Sequence, residues 1–296
     1  MDYKNRETNS TTSLCRGVFL PVHKSNKPKE TPAESKKCLV TVENRYGKCA
    51  TFDGLLTQTH QNIIDAILFS AEYVQLTTEG RYKVMFQITK VLDLLGHSQT
   101  RNQTWLTRKL DELATILMRY ETERGNVTTK VTCHIVDKHQ QSKIKNEETG
   151  KTFYGVVFSE DFRRFWNIDT GIDYARLIPD ILKLESAQSQ ALVRYCLSQD
   201  TVNTSMDSIL NSLHPEWKSM TERGRAKIRA SILSEREILE KSFGISFREI
   251  QSGKNTGEMG VFYTKHKFVY FQKPVLPAAT PEKPLERQTG QGSEPI

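Results

Sequence analysis

Two Gly-Lys pairs, Gly150-Lys151-Thr152 and Gly253-Lys254-Asn255, and one Cys-His pair, Cys133-His134 with His139 nearby, carry side chains that could bind a nucleotide or a metal. A phosphate loop needs a further glycine five residues ahead of its Gly-Lys pair, so that the backbone can turn its amides onto the phosphates. Those positions hold Lys145 and Arg248. Both pairs also fall between strand-like stretches, not between a strand and a helix, so ATP binding by such a loop is not expected. Cys133-His134 reads as alternation along a strand, because no second Cys or His cluster has metal-ligand spacing. None of the seven histidines lies two residues from another, which removes the His-hydrophobe-His pattern of a rolling-circle nicking nuclease. No G-x-S-x-G elbow or H-E-x-x-H helix occurs. The sequence therefore predicts no catalytic residue, no metal and no cofactor, and a protein that is not an enzyme.

What remains is positive charge that could hold a polyanion. The chain has 42 Lys and Arg against 35 Asp and Glu, a net charge of +7 and a pI near 9.0. The surplus is local: residues 213–273 carry 12 basic and 7 acidic side chains, and residues 1–50 carry 10 and 5. On a wheel of about 100° per residue, a helix over 221–241 puts Ile228, Ile232 and Leu239 on one face and Arg223, Lys227, Ala230 and Ser234 on the other. Cations meet phosphates, and small residues let a helix backbone approach the major groove. Arg225 and Arg229 flank the apolar stripe, where they could hold phosphates. Lys254 in the following turn, with Lys265 and Lys267 on the returning strand, would add a clamp. The alternative is a solvated face, with Glu222, Glu235 and Glu237 as partners for the cations.

These side chains need a frame, and apolar spacing predicts one. Ile63, Ile64, Ile67, Leu68 and Ala71 give a helix over 57–73, and Tyr82, Val84, Phe86 and Ile88 alternate as a strand. A short helix over 89–95 follows, then a third with Leu106, Leu110, Leu113 and Leu117 on one stripe. Strands are expected over 116–120, 127–136 and 153–158, the last two joined by a charged loop. Helix, strand, helix, helix, strand, hairpin is the order of a winged helix. The order recurs more loosely: connecting helices over 159–166 and 174–184, helices over 186–198 and 206–213, the basic helix over 221–241, and a hairpin over 245–271. Residues 201–204 have no clear assignment. Opposite the leucines of the earlier third helix stand Thr104, Arg108, Asp111, Glu112 and Thr115, whose carboxylates would oppose a phosphate backbone. The second unit is therefore expected to read DNA, and the first to support, dimerise or touch backbone.

The chain is 296 residues long, 37% hydrophobic and 26% charged, with a mean hydropathy of -0.54, the composition of a soluble globular protein. No apolar run approaches the ~20 residues of a membrane span, and the start lacks the pattern of a signal peptide. Five cysteines without a CxxC pair suit a reducing cytoplasm. Prolines mark the ends. The expected fold class is α+β: a basic, partly disordered arm over 1–50, winged helices over 51–168 and 169–273, and a Pro-rich tail over 274–296, with both tails flexible.

SMTERGRAKIRASILSEREILEKSFGISFREIQSGKNTGEMGVFYTK (residues 219–265) and FYGVVFSEDFRRFW (residues 153–166) resemble segments of the iteron-binding replication initiators (Rep) of theta-replicating bacterial plasmids, which carry tandem winged helices. The likeness runs from about Phe52 to Phe271. It implies a sequence-specific double-stranded DNA-binding protein whose monomers bind direct repeats at an origin, assist melting, and recruit the host initiator and replicative helicase. It also implies a homodimer in equilibrium with monomer that represses its own gene, in a bacterial cytoplasm, associated with the nucleoid or plasmid. By residue, it implies that Arg223 and Lys227 meet base edges or nearby phosphates, Ala230 and Ser234 permit close approach, and Arg225, Arg229, Lys254, Lys265 and Lys267 hold backbone. A winged-helix transcriptional regulator and a winged-helix protein-docking module are the alternatives.

Overall fold

Isoleucine and leucine spacing places the first helices. In the computed structural model, which describes residues 19–21, 42–44, 47–53, 56–97, 102–124, 127–145, 152–161, 174–214, 216–253 and 255–265, Ile63, Ile64 and Ile67 lie fully buried on α1 (Gln58–Phe69). Thr57 starts the helix, with the His60 ring reaching back to the Thr57 N–H at 3.1 Å in the reciprocal geometry of a capping box. The helix ends earlier than the predicted 73. Both the amide and the hydroxyl of Ser70 donate to the Ala66 carbonyl, and the chain turns into β3 (Ala71–Leu76), which pairs antiparallel with β4 (Tyr82–Phe86). Pairing along β4 overrides the helical period of the sequence there.

After β4 come α2 (Ile88–Leu94) and α3 (Asn102–Thr115), the latter burying Leu106, Leu110 and Leu113. Leu117, expected on the same stripe, instead opens β5 (Leu117–Arg124), which forms a long hairpin with β6 (Val127–His134). The chain then turns at Ile135 into β7 (Val136–Lys145), which pairs with β8 (Thr152–Phe158). Strand pairing thus extends into a stretch the sequence read as loop, because backbone bonds to β8 need no apolar alternation. Two four-stranded sheets result. One has the order β3-β4-β8-β7, and the other joins β5 and β6 to β1 (Val42–Asn44) and β2 (Gly47–Asp53) in the order β1-β2-β5-β6. β1 and the start of β2 lie within the segment expected to be an arm. Phe19 of that arm is also buried, in the first core with Ile63, Phe86 and Phe158.

A second core gathers residues from Tyr174 to Tyr263. A 3-10 turn (Ala175–Leu177) leads into α4 (Ile178–Lys183), then α5 (Ala187–Leu197), β9 (Thr201–Ser205), α6 (Met206–Leu213), α7 (Glu222–Leu233), α8 (Arg236–Phe243) and the hairpin β10 (Ser246–Glu249) to β11 (Met259–Thr264). β9 covers the stretch left without assignment. Only one of its five residues is both apolar and buried, Val202, so its identity comes from pairing with β11. The sheet order is β10-β11-β9. Gly260 is required on β11, since a Cβ there would lie 2.8 Å from the Phe262 ring and 2.9 Å from Ile250. The long helix predicted over 221–241 is two helices, interrupted at Ser234 and Glu235. The predicted helix over 159–166 and the C-terminal tail lie mostly or wholly outside the described residues.

Where the cores meet, α1 of the first unit lies against α4 and α5 of the second. Arg194 of α5, 1% exposed, spans the seam. Its Nε and Nη2 donate to Asp65 Oδ2 at 3.1 and 2.7 Å, Nη1 to Gln58 Oε1 at 2.7 Å, and Nη2 also to Asn62 Oδ1 at 2.7 Å. Tyr174 donates to the other Asp65 oxygen at 2.9 Å. Burial is the largest influence on the Asp65 carboxyl and raises its pKa, against the pull of Arg194.

Candidate nucleic-acid interface

The basic segment is held by an apolar inner face and by ion pairs at its flank. Thr221 caps α7 by accepting the Gly224 N–H at 3.2 Å, and Ile228 and Ile232 enter the second core. Their burial turns Arg223, Lys227, Ala230 and Ser234 outward, and all four are exposed. The wheel placed this face correctly through Ser234, where α7 ends with the Ser234 hydroxyl donating to the Ser231 carbonyl at 2.9 Å.

The flanking arginines are engaged within the protein. Arg229 donates from Nε and Nη2 to the two carboxylate oxygens of Asp207 on α6, each at 2.7 Å, and from Nη1 to Glu222 at 2.7 Å. Its guanidinium also lies 5.8 Å from the centroid of the Trp217 ring, a cation–π distance. A planar fork used in this way ties α6 to α7. Bonding to Asp207, then Glu222, pushes the Arg229 pKa further up. Arg225 pairs with Glu222 at 2.9 Å, one turn nearer the helix start. Lys265 donates its backbone N–H to the Asp200 carbonyl at 2.9 Å, and its ammonium lies 3.7 Å from the Asp200 carboxylate. Lys254 and Lys267 lie outside the described residues. The structure thus brings the four outward residues of α7 together and gives Arg225, Arg229 and Lys265 carboxylate partners of their own.

Three features escaped the sequence reading. Lys218, in the short 3-10 turn before α7 (Trp217–Ser219), is exposed. Arg248 on β10 is exposed too, its guanidinium 3.9 Å above the Phe262 ring. The pairing Ser246↔Phe262 and Arg248↔Gly260 puts them on one face of the sheet, a relation visible only once register is known. The third is Glu235 in the helix break. Read as a partner for surface cations, it is 9% exposed and accepts the backbone N–H groups of Glu185 and Ser186 at 2.7 and 3.2 Å. It thereby helps to cap α5, whose own N-cap Ser186 accepts from Gln188 and Ser189. Gly244, with φ 68°, closes α8 in the left-handed conformation that glycine adopts without strain.

The corresponding helix of the first unit, α3, exposes Thr104, Arg108, Asp111 and Thr115. Glu112 departs from the predicted outward face. It accepts from His60 Nε2 at 2.9 Å and from Lys109 at 2.6 Å, and bonding to His60 leads the causes that lower its pKa to about 2. Because the His60 Nδ1 accepts the Thr57 amide, the neutral ring carries its proton on Nε2, facing Glu112. A groove of about 1360 Å³ between α1, α2, α3 and α4 includes these residues. Its lysines are paired as well, Lys90 with Glu72 and Lys183 with Asp180. Cys133 lies on β6, a strand as its alternation predicts, and is buried, which pushes its thiol up to about 12. Among the described residues no three His, Cys, Asp or Glu side chains gather to hold a metal ion, and no helix is long and apolar enough to cross a membrane.

No family model matches this chain, and no curated protein matches it either. Solved structures do. Domains 2 and 3 of RctB superpose with a TM-score of 0.55 at 14% identity, over 85% of this chain and 96% of that one. A second crystal structure of the same RctB domains gives a TM-score of 0.49 at 11% identity, over 80% and 94%. The first likeness shows a shared α+β fold.

Proposed function

We propose that this chain is a sequence-specific double-stranded DNA-binding protein that initiates replication at an origin with repeated sites, and that it does so by binding and DNA deformation without catalysis. The observation that carries the reading is the outward row of α7: two exposed cations, Arg223 and Lys227, followed by the small Ala230 and Ser234. Such a row lets a helix enter the major groove, with cations at bases or phosphates and no bulk to hold the backbone away. We read each unit as a winged helix. In support, both sheets run in the same sense, β7-β8-β4 in the first unit and β10-β11-β9 in the second, and helices lie between the inner strand and the hairpin in each: α2 and α3 in the first, where the β5–β6 hairpin also intervenes, and α6, α7 and α8 in the second. The fold is shared with domains of RctB, a replication initiator.

On this reading α7 is the main contact, and Lys218 and Arg248 join Lys254, Lys265 and Lys267 in holding phosphates beside it. Arg225 exchanges Glu222 for a phosphate, whereas Arg229 braces the helix from within. The first unit contributes auxiliary contacts to an adjoining DNA segment and the dimer surface. Monomers occupy direct repeats of a plasmid origin, favour melting of an adjacent segment, and recruit the host initiator and replicative helicase.

A footprint on the DNA around the chain's own gene, at near-physiological salt with excess competitor, tests this. Protection of several direct repeats at about helical-turn spacing is the expected result. A single inverted repeat over a promoter would favour a transcriptional regulator. No protection would leave a protein-docking module.

A further inference from the structure

The seam between the units is built unlike the cores on either side of it. Gln58, Asn62 and Asp65 follow one another on α1 at intervals of four and three residues, a single stripe, and all three accept from the one guanidinium of Arg194. Gln190, one turn before Arg194 on α5, accepts from Asn62 at 2.8 Å and donates to the Leu184 carbonyl at 2.8 Å. The arm enters the same place. The Phe19 carbonyl accepts from Gln58 of the first unit at 2.9 Å, and the Pro21 carbonyl accepts from Gln188 of the second. Gln188 in turn accepts from His214 at 2.6 Å. Leu20 bonds at both its amide and its carbonyl to the chain at Leu56 and Gln58. Apolar helix faces tolerate small slides, whereas a buried planar fork does not: moving α5 along α1 by one residue, about 1.5 Å, would misalign all its acceptors together. A buried charge pair is best attested as a device that fixes register.

We propose that the buried junction of Arg194 with Gln58, Asn62 and Asp65, strapped by Phe19–Pro21, fixes the angle between the two units, so that Arg194 is a positioning residue that selects the spacing of the two DNA segments they contact. The spacing clause rests on the DNA-binding reading above, while the angle does not. The junction holds one arrangement because only one satisfies the fork, and the arm contributes by bonding to both units at once. Rigidly joined units accept only DNA on which both contacts fall at a fixed distance and helical phase. Loosely joined units would accept the same segments at many spacings.

Two measurements on the full chain separate these claims. Spin labels at Thr104→Cys and Lys241→Cys, one in each unit, with the other accessible cysteines replaced by serine, report the distance between units. The chain with Arg194 intact is expected to give one narrow distribution, and Arg194→Met with Asp65→Asn a broad one. The paired change removes both buried charges so that neither is stranded. Phe19→Ala, in the arm alone, should broaden it to a smaller degree and serves if the paired variant fails to fold. An unchanged narrow distribution in a folded variant overturns the proposal. For the second measurement, DNA is selected from a random double-stranded pool with each protein. The original chain should enrich two segments at one spacing, and insertion of about 5 bp, half a turn of DNA, should weaken binding about tenfold or more. The variant should enrich the same segments with scattered spacing and lose under twofold on insertion. Retained spacing despite a broadened distance overturns the specificity role. Enrichment of nothing by the original chain overturns the DNA reading, and the spacing claim with it, while the distance result still decides the angle.

Discussion

Helices α3 and α7 hold the same position in the order of their units, and their solvent faces differ in chemistry. α3 exposes Arg108 and Asp111 and turns Glu112 sideways onto His60 and Lys109. α7 exposes Arg223 and Lys227 on its outer row, and its Glu222 is taken up by Arg225 and Arg229. The inner faces are alike: Leu106, Leu110 and Leu113 in one, Ile228 and Ile232 in the other, each buried in its own core. A shared layout fixes which side of a helix is hidden, while the outward residues are free to diverge into a row of cations and small side chains or a surface of mixed charge.

The strongest way to break the comparison is to erase the outer row of α7. Arg223→Ala with Lys227→Ala should weaken specific DNA binding by about thirtyfold or more, on about 1–3 kcal/mol for each base contact, with thermal stability unchanged because both side chains are exposed. Arg108→Ala on α3 should change affinity only slightly and equally for all sequences. Competition binding beside a melting curve checks both, and equal effects from the two helices would remove the distinction.

The units should also part company in acid. Burial lowers the His214 pKa from 6.5 to about 4. The unfolded chain therefore takes up a proton below pH 6.5 that the folded second unit refuses until about pH 4, and stability falls across that window by up to about 3 kcal/mol. Glu112 works lower. Its folded pKa of about 2 lies below the ordinary 4.5, so its contribution to the first unit is present above pH 4.5 and is lost as pH falls toward 2. Unfolding followed by tryptophan and cysteine probes in each unit should show the second loosening first, and His214→Phe should flatten its slope between pH 6.5 and 4.

A smaller effect separates bracing from binding. Asp207→Ala should cost about 1–2 kcal/mol of stability by stranding Arg229, reduced by solvent because both groups are partly exposed. Arg229→Ala should cost a similar amount and should not weaken DNA binding beyond what Asp207→Ala does. Binding lost only in Arg229→Ala would return that residue to the DNA surface.

Much of this was legible wherever a stripe of apolar residues repeats with the period of its element. Ile63, Ile64 and Ile67, the leucines of α3, and Ile228 with Ile232 all face inward as spaced, and the outer row of α7 followed by subtraction. What escaped depends on partners distant in the chain. β9 is polar and becomes a strand through β11. β7 runs through residues with no alternation and is defined by β8. Arg229 looks like any basic helix residue until Asp207 is placed beside it. The seam left a faint mark that could have been read: Asp65 sits among Ile63, Ile64, Ala66 and Ile67, where a carboxylate needs a buried partner. Nothing local says that the partner is Arg194.

The break between α7 and α8 has a consequence for amide hydrogen exchange. Amides at a helix start commonly face water and exchange quickly. Here Glu185 and Ser186 give theirs to Glu235, a residue that holds its place only while α7 and α8 are both docked. Their exchange rates would thus serve as a clock for opening of the basic helix, read at Glu185, fifty residues before Glu235 in sequence. Slow exchange at these two amides, accelerated selectively by Glu235→Gln, would time that motion without a probe on the helix itself.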